Sequence, residues 1–335
     1  MITEGMSLHN VAELEPWEGA RHGVMHRVPR AVADQLRPRA RWVAQGSAGS
    51  EIRFVTEAPT SHLYISILRG SCDVLVYRGD LRENHHILET GRTACLELNT
   101  PPGFAGLPEG ALTGRRFAPQ VWRIVFENCV PVLHRLDAHG YAVRPPLPAE
   151  LPRRRWLAYG SSITHGYTAT RLVNSYVQQA AWRLAADVCN LGMGGACGLE
   201  PEVVEEIARR DDWQVCTCEL GINVHDYGVE EFSRRAEHLV RTIRARRPDG
   251  RLALITHFLF RAHLLGADHP GRATCDAYDM VLRNLAAAHG CTLIEGRQIL
   301  THAGGLTGDL VHPHDHGMQE MGENLARVLD PLFPG

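Results

Sequence analysis

Four short stretches of this 335-residue chain carry side chains that could do acyl-transfer chemistry. Tyr159-Gly160-Ser161-Ser162-Ile163-Thr164-His165-Gly166 directly follows a strand-like run, Arg155-Trp-Leu-Ala-Tyr159. A serine held where a strand turns into a helix exposes its hydroxyl at the carboxyl edge of a sheet, where open α/β folds bind ligands. The adjacent helix N-terminus favours developing negative charge. Taken alone, Gly-Ser-Ser is equally an ordinary turn. Three further stretches add what such a serine would need. Asn190-Leu-Gly-Met-Gly-Gly195 offers flexible backbone N–H groups, and Leu220-Gly-Ile-Asn223 offers a side-chain amide. Gly308-Asp309-Leu310-Val311-His312-Pro313 sets a carboxylate three residues before an imidazole. Nucleophile, base, orienting acid and oxyanion donors make up the set.

These stretches need a scaffold that gathers them, and the hydrophobic rhythm predicts one. After the Pro-rich junction Arg144-Pro-Pro-Leu-Pro148, strand-like runs at Arg155–Tyr159, Val188–Leu191, Trp213–Leu220, Arg251–Ile255 and Cys291–Ile294 alternate with helical ones. The helices are expected at Ser175–Ala186, Glu202–Arg210, Val229–Arg247, Asp276–Ala288 and Met318–Leu329. Phe232, Ala236, Leu239, Val240 and Ile243 form one apolar helical face; Met318, Met321, Leu325 and Val328 form another. Such alternation predicts a parallel sheet covered on both faces. Each chemical stretch then falls in a loop at a carboxyl end. Residues 40–136 read instead as short strands between Gly- and Pro-rich turns, at 51–55, 62–68, 72–77, 93–98 and 120–126. They predict an antiparallel, jelly-roll-like β-sandwich over residues 1–150, with the α/β domain over 151–335. The segment before residue 40 has no clear pattern.

Together the four stretches resemble the SGNH hydrolases, the GDSL-type esterases. That family is named for a Ser, Gly, Asn and His in four sequence blocks, matched in order here by Ser162, Gly195, Asn223 and His312. The resemblance covers about residues 153–333, and Asp309-x-x-His312 is its most specific piece. It implies a flavodoxin-like three-layer α/β/α sandwich and ester hydrolysis. On that footing Ser162 is the nucleophile, His312 the base and Asp309 its orienting acid. The N–H groups of Ser162 and Gly195, with the Asn223 amide, form the oxyanion hole. The chain departs from the family at Ser161, where an Asp often precedes the nucleophile. Gly70-Ser-Cys-Asp73-Val-Leu resembles a turn in an extra N-terminal β-domain of one branch.

By position His225, Tyr227, Phe258 and Arg261 are expected to line the acyl or alcohol pocket, although each type is also an ordinary loop or packing residue. His165 is read as a supporting or helix-surface residue, and His257–Arg272 as a segment without a firm element. The cluster His312-Pro-His314-Asp315-His316 has zinc-ligand chemistry. No second ligand set matches it, so it reads as a polar loop whose Asp315 or His316 caps a helix, and no metal or other cofactor is expected.

The formal net charge of -3 leaves no field for nucleic acid, and no basic tail suggests an anionic membrane surface. All 35 basic residues are Arg, which removes Schiff-base and P-loop lysine chemistry. No run approaches the ~18 apolar residues of a membrane span, and Met1–Gly23 lacks a signal-like core. Nine cysteines, many in apolar runs such as Cys216-Thr-Cys218, fit buried thiols in a cytoplasmic setting. The expected partner is a small-molecule acyl ester, with or without an acceptor alcohol. A hydrolase and an acyltransferase both fit the residues. A catalytically dead binding module is disfavoured by the intact four-block set. Trp42, Tyr64, Tyr77 and Trp122 are expected in the sandwich core.

Overall fold

The alternation in the N-terminal half produces two antiparallel sheets. In the computed structural model, which describes residues 1–69, 72–108, 110–112 and 116–334, the chain divides into two units. The first contains Met1–Arg30 and Ala44–Arg153; the second contains Ala31–Val43 and the chain from Arg154 onward. Gly70 and Ser71, the start of the stretch resembling a β-domain turn, lie outside the described residues.

One sheet of the first unit runs Ile2–Thr3, Met6–His9, Glu51–Thr56, Trp122–Phe126, Cys72–Arg78, Leu81–Leu88, with Val143–Arg144 also on Glu51–Thr56. The other runs Glu13–Glu15, Gly23–His26, Pro131–Asp137, Thr60–Ile67, Ala94–Asn99. Alternate residues of each meet in a shared core: Ile52, Phe54, Val74, Val76 and Ile124 against Leu63, Ile65, Leu96, Leu98 and Leu133. This is a β-sandwich. Leu81–Leu88 was not expected as a strand. Only Leu88 is buried in it, so this edge strand carries no period-two apolar signal.

In the second unit five parallel strands, β1 (Arg154–Gly160), β2 (Ala186–Gly192), β3 (Val215–Glu219), β4 (Arg251–Ile255) and β5 (Thr292–Ile294), lie in the order β2-β1-β3-β4-β5. Their continuous apolar runs are buried on both faces. Tyr176–Leu184 and Asp315–Leu329 pack together on one face; Pro201–Arg209, Gly228–Arg246 and Pro270–His289 pack side by side on the other. This is the flavodoxin-like α/β/α sandwich. The strand order reverses between β1 and β3, which makes their carboxyl ends the place for a ligand crevice.

Two local expectations change. Val328 is 36% exposed, and Leu329 takes its place in the core. The helix expected from Asp276 starts at Pro270, with the His269 side chain accepting from the Gly271 N–H as its cap. Arg261–Leu264 adds a short helical turn before it. Among the described residues no helix is long and apolar enough to cross a membrane, and no disulfide is formed.

Candidate active site

β1 ends at Gly160, and Ser162–His165 forms one helical turn closed by Gly166 in the left-handed region. The Ser161 hydroxyl caps this turn by accepting from the Ile163 N–H at 3.1 Å. An Asp at this position would accept the same bond, so the departure from the family preserves the cap. Ser162 is 9% exposed, and its Oγ lies 2.8 Å from His312 Nε2. His312 Nδ1 lies 2.6 Å from Asp309 Oδ2.

Asp309 is fixed by its own loop. Its Oδ1 accepts from the N–H groups of Val311 (2.8 Å) and His312 (2.9 Å) and from the Thr307 hydroxyl (2.8 Å). Partial burial opposes ionisation, but the His312 imidazole and these donors outweigh it and hold the carboxyl well below the usual carboxylate range. Leu310 occupies the left-handed region at φ 57°, which folds the loop so that a carboxylate and an imidazole three residues apart can meet. The loop is tied to the segment after the nucleophile. Thr168 Oγ1 donates to Pro313 O at 2.9 Å, and Asp315 accepts from the N–H and hydroxyl of Thr170. The exposed Tyr167 ring meets His312 edge-on, with centroids 4.9 Å apart.

The loop after β2 approaches the serine from the other side. Gly192 sits so close that a β-carbon there would lie 2.3 Å from the His165 nitrogen. Gly194 donates its N–H to His165 Nδ1 at 3.4 Å, so the buried His165 bridges the two turns. Gly195 has φ 66°, a conformation that favours glycine. Asn223, beyond β3, accepts the Cys197 N–H on Oδ1 at 3.1 Å, which turns its amide nitrogen the other way. An alcohol, an imidazole and a carboxylate therefore meet at the carboxyl end of β1, with the loop after β2 held to the nucleophile turn through His165 and to Asn223 through Cys197.

Residues 158–320 match the family described as GDSL-like lipase/acylhydrolase. The α/β part of the chain belongs to the SGNH hydrolases. That match makes the protein an enzyme of the lipase/acylhydrolase kind. Among solved structures it is similar to a GDSL-like lipase from Bacteroides ovatus ATCC 8483, at 17% identity, 98% coverage of this chain and 96% of that one, and TM-score 0.69. It is also similar to a salicylyl-acyltransferase from a tetracycline biosynthetic pathway, at 16% identity, 98% and 95% coverage, and TM-score 0.78. A family two carbohydrate esterase from Clostridium thermocellum in complex with cellohexaose aligns at 16% identity, 84% and 92% coverage, and TM-score 0.62. At these identities the likeness is one of fold. A comparison with curated proteins gave no match.

Within the SGNH domain the residues expected along a pocket go to different places. Phe258 is 2% exposed and packs edge-on against Tyr176 inside the core. His225 turns towards His257, with Nε2 atoms 3.1 Å apart, and His257 in turn pairs with buried Asp279 at 2.7 Å. Burial pushes His225 down to about 4. The Tyr227 ring meets the guanidinium groups of Arg37 (5.9 Å to its centroid) and Arg235 (4.7 Å). Arg261 is exposed, and its backbone N–H donates to Leu310 O, within the Asp309–His312 loop, at 2.7 Å.

In the histidine cluster it is His314, rather than Asp315 or His316, that caps the last helix, accepting from the His316 N–H. Its Nε2 faces Gly304 O at 2.8 Å. Trp42, expected in the sandwich core, is 48% exposed on the Ala31–Val43 segment of the second unit; Trp122 is buried as expected. Sequence reasoning missed Glu219, which accepts the Ser161 N–H at 2.7 Å; its only signal was a carboxylate closing an otherwise apolar strand run. Arg39, from the segment without a pattern, also reaches the loop after β2, where a terminal nitrogen donates to Gly194 O at 3.3 Å.

Proposed function

We propose that the protein is a serine esterase that hydrolyses a small O-acyl ester of a sugar or metabolite through an acyl-enzyme on Ser162. The observation that carries this reading is the unbroken hydrogen-bond chain from Ser162 Oγ through His312 to Asp309, at 2.8 and 2.6 Å. His312 takes the hydroxyl proton as Ser162 Oγ attacks the ester carbonyl, then returns it to the departing alcohol. Asp309 stays ionised, keeps His312 in the required tautomer and stabilises the imidazolium. The N–H groups of Ser162 and Gly195 and the Asn223 amide stabilise the oxyanion of each tetrahedral intermediate. Water, deprotonated by His312, then attacks the acyl carbon and releases Ser162. Arg261, beside the Asp309–His312 loop, is the rim side chain we assign to substrate contact. The nine cysteines, mostly in apolar runs of the sequence, fit a reducing, cytoplasmic setting.

A second reading keeps the same acyl-enzyme and replaces water with an acceptor alcohol. The likeness in fold, across 98% of the chain, to the salicylyl-acyltransferase supports it. The deciding experiment is hydrolysis of 4-nitrophenyl acetate by the wild type and Ser162→Ala, repeated with added alcohols and product analysis. Activity lost in the variant supports the serine mechanism; equal activity in both would sink it. Transfer products exceeding free acid at modest alcohol concentration would select the second reading.

A further inference from the structure

The Ala31–Val43 excursion brings two arginines, two residues apart, onto the SGNH unit. Arg37 is an anchor. Its Nε donates to Glu200 Oε1 at 2.9 Å, and Glu200 is only 5% exposed. Arg39 does something else. It pairs with no carboxylate among the described residues, and one of its terminal nitrogens donates to the carbonyl oxygen of Gly194 at 3.3 Å. Its guanidinium carbon lies 4.9 Å from the centroid of the Trp42 ring. A stack of that kind holds an exposed, otherwise mobile side chain in place.

The carbonyl of Gly194 and the N–H of Gly195 belong to one peptide group. That N–H is the backbone donor assigned above to the oxyanion. A β-carbon on Gly194 would lie 3.9 Å from both Cα and Cβ of Ser162, and one on Gly195 would lie 3.7 Å from Arg39 Nε. The guanidinium and the nucleophile therefore flank the same short loop. Gly195 is a residue with little intrinsic conformational preference, so this peptide plane needs an outside constraint to stay aimed. A cationic donor on the carbonyl oxygen fixes the plane and draws electron density towards oxygen, which strengthens the N–H as a donor.

We propose that Arg39 is a positioning residue for catalysis: through the Gly194 carbonyl it orients and polarises the peptide whose N–H binds the oxyanion. The inference rests on the oxyanion-hole reading given above. Because Arg39 acts only as oxyanion charge develops, its effect belongs in kcat, and it should be the same for neutral and charged esters.

The test compares wild type, Arg39→Ala and Arg39→Lys on 4-nitrophenyl acetate and on the mono-4-nitrophenyl ester of glutaric acid, with thermal melting as a check on folding. Strengthening of one hydrogen bond by its neighbour predicts a kcat loss of about two- to eightfold for Arg39→Ala on both esters, with KM held within about twofold. Arg39→Lys, which keeps a cationic donor, should recover part of the loss. Added guanidinium at tens of millimolar should restore Arg39→Ala where sodium chloride at equal ionic strength does not. Unchanged kcat on the neutral ester overturns the proposal. So does a loss confined to the glutarate ester, which would make Arg39 a binding group for a substrate anion. If Ser162→Ala retains wild-type activity, the serine reading itself has failed, a result separate from either of these.

Discussion

Glu219, at the carboxyl end of β3, accepts the backbone N–H of Ser161 on Oε2 at 2.7 Å, so a buried carboxylate holds the residue just before the nucleophile. The same oxygen accepts the Thr164 hydroxyl at 3.0 Å. The start and end of the nucleophile turn are thus tied to the neighbouring strand. Burial pushes the Glu219 carboxyl up from its ordinary value, and the Ser161 and Thr164 bonds pull in the opposite direction without cancelling it.

Because the folded-state value of Glu219 lies above that of the unfolded chain, its stabilising contribution is full at low pH and is lost as pH rises through the raised value. Glu219→Gln removes this dependence while keeping an acceptor for the Ser161 N–H. In urea unfolding from pH 4 to 8, the variant should gain on the wild type as pH rises. A stability difference that does not change with pH would refute the assignment.

Asn223 has separable roles for its two amide atoms. Its Oδ1 holds the Cys197 N–H, and its amide nitrogen is the proposed oxyanion donor. Loss of such a donor typically costs two to three orders of magnitude in turnover, roughly 10²–10³-fold. Asn223→Ala and Asn223→Asp should both show that loss, whereas only Asn223→Ala should also weaken the loop in thermal melting. Wild-type turnover in either variant removes Asn223 from the mechanism.

Asp309→Asn retains an acceptor for the Val311 and His312 N–H groups but presents an amide to His312 Nδ1. The imidazole then favours the wrong tautomer. Turnover on 4-nitrophenyl acetate should fall at least about 10²-fold with little change in stability. A comparable fall in stability would mean that Asp309 serves mainly to hold its loop.

Two histidines outside the reacting set predict an acid limit. Burial is the main cause that pushes His225 and His263 down to about 4 from 6.5. Folded values below the unfolded ones mean that the unfolded chain binds the extra protons. The stability these residues contribute is therefore present above pH 6.5 and is lost as pH falls towards about 4. Unfolding midpoints at pH 7, 5.5 and 4.5 should decline less steeply in His225→Gln and His263→Gln than in the wild type. Parallel slopes would show that neither histidine is the source.

The parallel-sheet half was readable because its strands are buried on both faces and its helices carry wide apolar stripes, as with Phe232 to Ile243. The Asp309 and His312 pair stood out because the two residues are close in sequence. What escaped notice has a common physical cause. Leu81–Leu88 pairs through its backbone while its side chains face solvent, so composition does not mark it. The relations of Glu219 to Ser161 and of Arg39 to Gly194 depend on long-range register, which leaves no local pattern. Phe258 was misjudged because sequence order places it near the loops, while side-chain direction after β4 sends it into the core.

The detour of Ala31–Val43 also has a consequence for biosynthesis. Arg37 and Glu200 are 163 positions apart, so at ordinary translation rates the arginine is added to the chain roughly ten to thirty seconds before its partner exists. Until then the arm has no surface to settle on, and a later-made piece of the enzyme must capture an earlier one. A gene fragment beginning at Arg154 would never supply it. Glu200 would then keep its sheltered carboxylate without the guanidinium that neutralises it, and the peptide beside the nucleophile would lose its brace before any substrate arrived.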